Sequence, residues 1–283
     1  MNVLSLFDGM SCGQIALNRA GIKYDNYFAS EIKPHAIELT QKHYPNTIQV
    51  GDVTKVFSKD LPKIDLLIGG SPCQDFSIAN KERLGLNGLK SSLFFEYVRL
   101  LKELKPKYFL LENVQMKESD FNFITNLMGI YPINIDSYLV SAAFRNRYYW
   151  TNIGIIENDL FGFKYNKTPQ PIDKKISLQS ILEFGYTNRF KARSLNTASG
   201  CSEKSQDKFY KRFTETGMVT AIFNSQDLDY NKGIRHFTQT ELERLMTVED
   251  GWTYGLTKNQ AWNLLGDGWT VDVITHLFKY MQL

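Results

Sequence analysis

The sequence predicts an α/β protein in which helices cover both faces of a mostly parallel sheet. Three observations lead to this fold class. Short apolar or β-branched runs alternate with helix-like stretches up to about residue 160, as in parallel strands joined by crossover helices. Acidic or small polar residues follow several of these runs, as expected at the ligand-binding edge of a doubly wound sheet. The alternation ends near Gly162, so we expect a second, smaller region after it.

Seven short runs have the length and composition of buried strands. They cover residues 2–7, 26–30, 47–53, 64–70, 108–114, 134–140 and 147–155. Helical stretches are predicted at residues 12–20, 34–43, 92–104 and 120–128. Pro34 suits the first turn of a helix, and Gly21 and Gly129 suit the ends of two others. The sequence therefore predicts a doubly wound, mostly parallel, seven-stranded sheet.

The second half of the chain has a different composition. Residues 1–160 are expected to form the large domain, and a connector rich in Pro, Lys and polar residues follows it. Residues 161–235 are expected to form a small, loop-rich region. Within residues 236–283, Thr238 or Thr240 followed by Glu241 and Glu243 predicts a capped helix. The periodic apolar tail after it is expected to return to the large domain.

The bulk composition excludes several classes of protein. With 283 residues, 43% hydrophobic and 22% charged, the chain is typical of a globular protein with a sizeable core. A net charge of +3 is too small to indicate a polyanionic partner by itself. Three cysteines and four isolated histidines lack metal-binding spacing, so we expect no structural metal and a reduced, cytoplasmic setting. We see no signal sequence or membrane-spanning run, so we expect no membrane contact.

The stretch LSLFDGMSCGQIAL has the order of strand, glycine-bearing loop and helix that holds the adenosine part of a cofactor in doubly wound folds. Glu31 ends the second strand, where it can accept both ribose hydroxyls, and Asp52 follows the third, where it can accept the adenine amino group. Asp8 would repel a pyrophosphate, so the pattern favours S-adenosylmethionine over a dinucleotide. Taken singly, each acid could instead cap a turn or be solvated.

The segment GGSPCQDFSIAN places Cys73 after the fourth strand, at the edge of the sheet where ligands bind. A lone cysteine is most often a small buried residue, but the backbone N–H groups of this Gly- and Ser-rich loop favour a thiolate. Glu112 and Asn113 end the fifth strand beside it. In RNRYYW, Arg145 and Arg147 alternate and point to the same side of a strand. Alone, these arginines would be interpreted as solvated.

Together these groups suit one reaction. Carbon 5 of a pyrimidine is unreactive until a nucleophile adds at carbon 6, so Cys73 would attack there while Glu112 protonates or hydrogen-bonds N3. Arg147 would stabilise the charge on the O2 oxygen. Carbon 5 then takes a methyl group, and loss of its proton expels the thiol.

Several motifs resemble those of DNA (cytosine-5) methyltransferases, most closely the catalytic domain of the animal de novo enzymes: LSLFDGMSCG, IGGSPCQDFSIAN, ENV, VSAAFRNRYYWTNI and LLGDGWTVDVITHLF. The resemblance covers residues 3–153 and resumes from residue 237. It implies the S-adenosylmethionine-dependent methyltransferase fold, transfer to a cytosine flipped out of double-stranded DNA, and target recognition by residues 161–235. Because no reader domain is appended, we expect a prokaryotic or phage enzyme, cytoplasmic and associated with the nucleoid.

The resemblance also assigns residues to sites. Catalytic roles are predicted for Cys73, Glu112, Arg145 and Arg147. The methyl donor, which leaves as S-adenosylhomocysteine, is predicted to be bound by Phe7, Asp8, Gly9, Cys12, Gly13, Glu31, Ile32, Asp52, Val53, Ser71, Pro72, Leu93, Gly268 and Trp269. Contacts with DNA are predicted for Gln74, Ser77, Asn113, Arg189, Lys191, Arg193 and Lys204.

Two further segments carry predictions. Residues 189–212 mix Arg and Lys with Ser, Thr, Asn and Gln, which suits phosphate and base-edge contacts, although many solvated loops share this composition. With both Phe94 and Phe95, the amphipathic helix predicted at residues 92–104 has more apolar side chains than a single buried face would hold. A Phe pair helps to form a subunit interface in the resembling family, so we predict a homodimer through these two residues. Simple packing in the core is the alternative.

The sequence departs from the family pattern near its C-terminus. Gly268, after Asp267, stands where a small polar residue is common, and Asp272 replaces a usual proline. These departures concern the geometry of the donor pocket and leave the reaction type unchanged.

Other functions stay open at this point. They are a tRNA cytosine-5 methyltransferase, a catalytically inactive DNA-binding accessory homologue, and a dinucleotide oxidoreductase. The biological role also stays open between a restriction partner, phage self-protection and an orphan regulator.

Overall fold

The structure is a computed structural model that describes residues 1–71, 92–195, 206–217 and 219–282. Its strands are β1 (Asn2–Leu6), β2 (Asn26–Ser30), β3 (Ile48–Gln49), β4 (Leu66–Gly70), β5 (Tyr108–Val114), β6 (Ile130–Tyr131), β7 (Ile133–Asp136), β8 (Asn146–Thr151), β9 (Ile156–Asn158), β10 (Lys164–Asn166), β11 (Ile222–Phe223) and β12 (Ile234–Arg235). Its helices are α1 (Cys12–Arg19), α2 (Pro34–His43), α3 (Ser92–Leu104), α4 (Glu118–Met128), α5 (Gln206–Lys211), α6 (Gln239–Leu245), α7 (Lys258–Asp267) and α8 (Val271–Phe278). Five residues with predicted roles lie outside the described residues: Pro72, Cys73, Gln74, Ser77 and Lys204.

Seven strands form one sheet in the order β3-β2-β1-β4-β5-β8-β7. The first five strands in this order are parallel, whereas β8 runs antiparallel to β5. The predicted fold class, a mostly parallel seven-stranded sheet with flanking helices, is confirmed. Because β3, β2, β1, β4 and β5 are parallel neighbours, their carboxyl ends follow one another along a single edge of the sheet.

Several strands are shorter than the sequence predicts, and two of them, β3 and β7, are followed by turns that an aspartate caps. After β3, the side chain of Asp52 accepts the N–H of Thr54 and begins a 3₁₀ turn over Val53–Lys55. After β7, Asp136 accepts the N–H of Tyr138 in the same way and begins a 3₁₀ turn. An aspartate that caps a turn offers the backbone an alternative to strand pairing, so the chain leaves the sheet at both positions.

The helices begin and end at the expected signals. Pro34 occupies the first turn of α2, and Gly129 ends α4 with a φ of 67°. Of the two predicted caps of α6, Thr238 is the one used, and it forms a capping box with Glu241. Among the helices described, none combines the length and the apolar character needed to span a bilayer.

The core lies around the central parallel strands. Leu4 of β1, Leu67 of β4 and Leu111 of β5 are fully buried, which matches strands that are covered on both faces. Tyr97 of α3 and Trp150 of β8 pack into the same cluster. Each such side chain stabilises the fold by about 1.5–3 kcal/mol through burial. This core fixes the strand ends that carry the candidate site.

The chain divides into two compact units. Unit 1 comprises Met1–Ile135, Asn146–Gln170 and Ile274–Leu283, and unit 2 comprises Asp136–Arg145 and Pro171–Val273. Most of the C-terminal segment therefore groups with the loop-rich region in unit 2, and only its last part belongs to unit 1. The functions that the sequence assigns to residues 1–160, 161–235 and 236–283 stay predictions.

Unit 2 is built on the short antiparallel pair β11 and β12. A small apolar cluster of Phe209, Ala221, Phe223 and Ile234 packs around it. On the other face of the pair, Arg235 forms an ion pair of 2.7 Å with the fully buried Glu241. Paired in this way, the buried carboxylate of Glu241 avoids the cost of an isolated charge.

Candidate active site

The loop after β1 makes the first wall of the candidate site. Phe7, Gly9 and Ser11 all have left-handed backbone, with φ values of 59°, 59° and 63°. This conformation costs a residue with a side chain about 1–2 kcal/mol, so neighbouring groups must hold the loop in place. One of them is Glu31, whose Oε2 accepts the N–H of Gly9 at 2.8 Å. The structure therefore brings the end of β2 against this loop, as the sequence predicts.

The two predicted adenosine acids lie at the ends of adjacent strands. Oε1 of Glu31 accepts the N–H groups of Ile32 and Lys33 at 2.7 and 2.9 Å, which orders the turn after β2. Oδ1 of Asp52 accepts from the N–H and the hydroxyl of Thr54 at 3.0 and 2.9 Å. These hydrogen bonds lower the pKa of Asp52. Ile32 is 69% exposed beside them, so this stretch presents two carboxylates and an apolar side chain.

Asp8 has a different environment from the other two acids. It is only 8% exposed, and its Oδ1 accepts the hydroxyl of Tyr27 at 2.8 Å. Burial raises the pKa of Asp8 to about 6, while hydrogen bonds from Ser5, Tyr27 and Ser11 oppose the rise. The sequence predicts that this carboxylate lines the donor pocket. The structure adds that a side chain of β2, Tyr27, holds it by a hydrogen bond.

The remaining residues predicted to bind the donor are mostly buried. In unit 1 Cys12, Val53 and Ser71 are buried and Leu93 is half-buried against the core. In unit 2 Trp269 is buried in the turn between α7 and α8. Their donor contacts stay predictions.

An ion pair joins two of the predicted catalytic residues. Nε of Arg147 on β8 lies 2.9 Å from Oε1 of Glu112 on β5, and both side chains are largely buried. The antiparallel register places Arg147 opposite Val114, two residues beyond Glu112, so the two side chains share a face. The N–H of Nε does not point at the carboxylate as a hydrogen bond requires, so the contact is an ion pair without a hydrogen bond from Nε. A carboxyl and a guanidinium thus lie together beside the end of β4.

Asn113 links β5 to the end of β4. The sequence predicts a DNA contact for Asn113; the structure shows the residue buried, and the contact stays a prediction. Its Nδ2 donates to the hydroxyl of Ser71 at 3.1 Å, and its Oδ1 accepts the N–H of Val114 at 2.8 Å. Asn113 therefore holds Ser71, which stands two residues before Cys73 in the sequence.

Arg145 lies elsewhere than its predicted position. It precedes β8 instead of lying on it, so the alternation argument does not apply, and it belongs to unit 2 whereas Arg147 belongs to unit 1. Its guanidinium is buried and donates to the carbonyls of Gly266 and Gly268 at 3.1 and 2.7 Å. A cation at the C-terminal end of a helix satisfies carbonyls that lack helical partners. Arg145 therefore fixes the turn that leads to Trp269.

Comparison with known proteins assigns the family. The family model of the C-5 cytosine-specific DNA methylases matches residues 1–128 and 134–283. The chain belongs to this family. The resemblance predicted from its motifs is confirmed.

Curated relatives of this methylase come from bacteria and phages. Type II methyltransferase M.NgoBV of Neisseria gonorrhoeae is 42% identical over 116 residues, which cover 40% of this chain and 27% of that protein. Orphan methyltransferase M.Rho11sI of Bacillus phage rho11s is 35% identical over 174 residues, 56% of this chain and 34% of its own. Type II methyltransferase M1.ScrFI of Lactococcus lactis subsp. cremoris is 28% identical over 313 residues, 99% and 77% of the two chains. The first two matches thus span about a third or less of those relatives.

Solved structures support the methylase fold. The S. pombe Dnmt2 methyltransferase aligns with a TM-score of 0.69 at 20% identity, over 99% of this chain and 97% of its own. A DNA modification methyltransferase encoded within an E. coli prophage aligns with a TM-score of 0.62 at 21% identity, with the same coverage. At these identities the likeness concerns the fold alone.

The basic segment of the methylase is only partly available for DNA. The sequence predicts that Lys191 contacts DNA, but the residue is 6% exposed and its Nζ donates to the carbonyls of Tyr138 and Ser141, both at 2.7 Å. Burial lowers the pKa of Lys191. Two buried carbonyls already use the ammonium group of Lys191, and its contact with DNA stays a prediction. Arg193 is exposed and Arg189 half-buried, and DNA contacts by both stay predictions.

We expect Lys191 and Arg193 to respond oppositely to substitution. Lys191→Met leaves two carbonyls without a donor, so the free energy of unfolding falls by about 1–3 kcal/mol while the salt dependence of DNA binding is unchanged. Arg193→Ala lowers the slope of log affinity against log salt by about one and leaves stability nearly unaltered. Urea unfolding and fluorescence anisotropy at several salt concentrations measure both. A lower slope of log affinity against log salt in Lys191→Met would instead show that Lys191 contacts DNA.

The two phenylalanines of the predicted homodimer contact have different environments. Phe94 is fully buried in the core of unit 1, where it packs in the same cluster as Tyr97 and Trp150. Phe95 is 40% exposed and lies edge-on to Phe123, with ring centroids 6.2 Å apart. A homodimer contact through Phe95 stays a prediction.

Proposed function

We propose that this methylase transfers a methyl group from S-adenosylmethionine to carbon 5 of a cytosine flipped out of double-stranded DNA, through a covalent adduct between Cys73 and carbon 6. The observation that carries the proposal is the pair of Glu112 and Arg147 beside the end of β4. Family membership supplies the reaction class, and this pair supplies the groups that the reaction needs at the ring.

The residues of the chain divide the work on the base. Cys73 adds through its sulfur to carbon 6, and Glu112 gives a proton or a hydrogen bond to N3, so the electron pair of the carbon 5–carbon 6 bond becomes available at carbon 5. Arg147, held beside Glu112, stabilises negative charge on O2. After methylation, loss of the carbon 5 proton to a base expels the Cys73 thiolate and restores the aromatic ring, and a proton that N3 has taken returns to Glu112. Asn113 keeps the start of the Cys73 loop on β5 throughout.

The ends of β1, β2 and β3 fit the methyl donor. Glu31 and Asp52 offer carboxylate oxygens suited to ribose hydroxyls and an adenine amino group, and Ile32 offers an exposed apolar side chain. Asp8, in the loop after β1, carries an ionisable carboxyl, which favours a cationic ligand over a pyrophosphate. When bound, S-adenosylmethionine supplies an electrophilic methyl group.

A direct test compares the wild-type methylase with Cys73→Ala. Wild-type protein is expected to transfer tritiated methyl groups to duplex DNA and to form a stable adduct with DNA that contains 5-fluorocytosine. Cys73→Ala is expected to lose both while it still binds S-adenosylhomocysteine. Transfer to RNA but not to DNA would identify an RNA substrate instead. Equal transfer by Cys73→Ala would refute the covalent route.

The setting of the reaction belongs to the same proposal. The relatives named above include both type II and orphan methyltransferases of bacteria and phages. We propose that this methylase acts on chromosomal or phage DNA in the cytoplasm of a bacterium. Bisulfite sequencing of DNA from cells that express it reports the target sequence.

A further inference from the structure

Tyr27 is a buried tyrosine of β2 for which the sequence predicts no role. It is only 2% exposed, and its hydroxyl donates to Oδ1 of Asp8 at 2.8 Å. The strand that carries Tyr27 lies next to β1 in the sheet. A side chain from β2 therefore reaches the middle of the loop that follows β1.

Gly13 provides the space for this contact. A Cβ at Gly13 would lie 2.6 Å from the hydroxyl oxygen of Tyr27 and 2.4 Å from Cδ1 of Ile68. Real side chains do not approach so closely, so a Cβ at this position would displace the hydroxyl of Tyr27 or the end of Ile68, and glycine leaves both in place. The glycine in the first turn of α1 is therefore explained by the approach of Tyr27, without any contact with a ligand.

The loop that Tyr27 reaches needs support. Its left-handed residues Phe7 and Ser11 flank Asp8 and carry side chains, so their conformation is unfavourable without external contacts. From outside the loop, the N–H of Asp8 donates to the carbonyl of Ser30 at 3.1 Å, and Glu31 accepts the N–H of Gly9. The hydrogen bond from Tyr27 to Asp8 adds a side-chain anchor at the centre of the loop.

We propose that Tyr27 is a positioning residue for the methyl donor, which holds Asp8, and through it the loop of residues 7–11, in the conformation that binds S-adenosylmethionine. The inference rests on the proposed function, because it assigns this loop to the donor. Tyr27 touches neither donor nor cytosine in this scheme and acts only through Asp8.

The anchor depends on the charge of Asp8. An ionised carboxylate accepts a stronger hydrogen bond than a neutral carboxyl does. The titratable groups that interact with it are Tyr27 on β2, Tyr24 before β2 and Glu31 after β2. Burial raises the pKa of Asp8 to about 6, so the carboxylate gains a proton within a usable pH range. Donor affinity should therefore fall as the pH decreases through this value.

The test measures binding of S-adenosylhomocysteine by calorimetry at pH 8 and pH 5.5. Wild-type protein should bind severalfold more weakly at pH 5.5. Tyr27→Phe should raise the dissociation constant about tenfold at pH 8 and show little further change at pH 5.5, because the titrating group no longer controls the anchor. At saturating donor, its kcat should stay within about twofold of wild type.

Tyr97→Phe is the matched control. Tyr97 is a fully buried tyrosine of unit 1 whose hydroxyl donates to the carbonyl of Leu67 on β4 at 3.4 Å, and not to Asp8. Its dissociation constant and pH response should equal those of wild type. Equal weakening in Tyr97→Phe and Tyr27→Phe would indicate general destabilisation and overturn the proposal.

Two further outcomes complete the test. If Tyr27→Phe does not fold, Asp8→Asn replaces it, and a flat pH response in that variant supports the proposal whereas a wild-type response overturns it. A Tyr27→Phe protein that binds with wild-type affinity and pH response overturns the proposal and leaves the proposed function intact. Wild-type protein that binds no S-adenosylhomocysteine refutes the proposed function itself.

Discussion

Replacing Glu112 by glutamine is expected to lower kcat for methyl transfer to duplex DNA by between about a hundredfold and ten-thousandfold, the usual contribution of a general acid. Glutamine keeps the shape of the side chain but has no proton to give to N3. It also removes the negative partner of Arg147, which lies 2.9 Å away. The dissociation constant for S-adenosylhomocysteine should change by less than about threefold, because Glu112 lies near the end of β5, whereas the predicted ribose and adenine acceptors Glu31 and Asp52 follow β2 and β3. Single-turnover kinetics separate the chemical step from binding.

Glu96→Gln provides the matched control for this experiment. Glu96 also pairs with an arginine, Arg99, at 2.7 Å, but on the half-exposed face of α3. Surface pairs of this kind contribute about 0–1 kcal/mol, so kcat should stay within about twofold of wild type. Thermal unfolding of both variants shows whether each is folded at the assay temperature. If Glu112→Gln were as active as Glu96→Gln, Glu112 could not be the acid.

Replacing Asp8 by asparagine is expected to stabilise the protein at pH 8 and to weaken donor binding. The folded-state pKa of Asp8, about 6, exceeds the ordinary value of 3.8, so the folded protein binds this proton more tightly than the unfolded chain does. The stabilisation from the proton is complete below pH 3.8 and is lost as the pH rises through 6. At pH 8 the buried charge costs on the order of 3 kcal/mol, which asparagine avoids. Urea unfolding at pH 8 and pH 4 measures the difference.

Asp52→Asn is the control, because the pKa of Asp52 is shifted in the opposite direction to that of Asp8. Hydrogen bonds from Thr54 lower the pKa of Asp52, so the folded state favours its charged form and asparagine brings no gain at pH 8. A gain for Asp8→Asn that was the same at pH 4 and pH 8 would show that charge burial is not its cause. Lower donor affinity combined with higher stability would mark Asp8 as a residue kept for function at a cost in stability.

Local patterns predicted much of the fold and part of the site. Runs of apolar residues and signals such as Pro34 and Gly129 depend on neighbouring residues, so β1 to β5 and the helices between them could be found without contacts. Glu112 could be placed beside the end of β4 because adjacent parallel strands end at one edge of the sheet. The insertion of β8 between β5 and β7 could not be predicted, since strand order depends on pairing across the whole chain.

Charged and polar residues were predicted less well than strands. Lys191 is separated by 53 residues from Tyr138, whose carbonyl it binds, and nothing near Lys191 in the sequence indicates that partner. The same holds for Arg145, which reaches Gly268 across 123 residues. One residue in the sequence indicates the close approach of Tyr27, namely Gly13 in the first turn of α1. The family resemblance instead assigns this glycine to binding of the methyl donor.

By itself, the sequence determined the fold class, the family and the kinds of chemical group at the strand ends, because periodicity and residue type are local properties. Only the tertiary structure decided which of those groups are paired, buried or exposed. The free energy of a charge depends on its burial and its partners, and these come from distant parts of the chain. For this reason the same basic segment contains an exposed Arg193 and a Lys191 that is buried on two carbonyls.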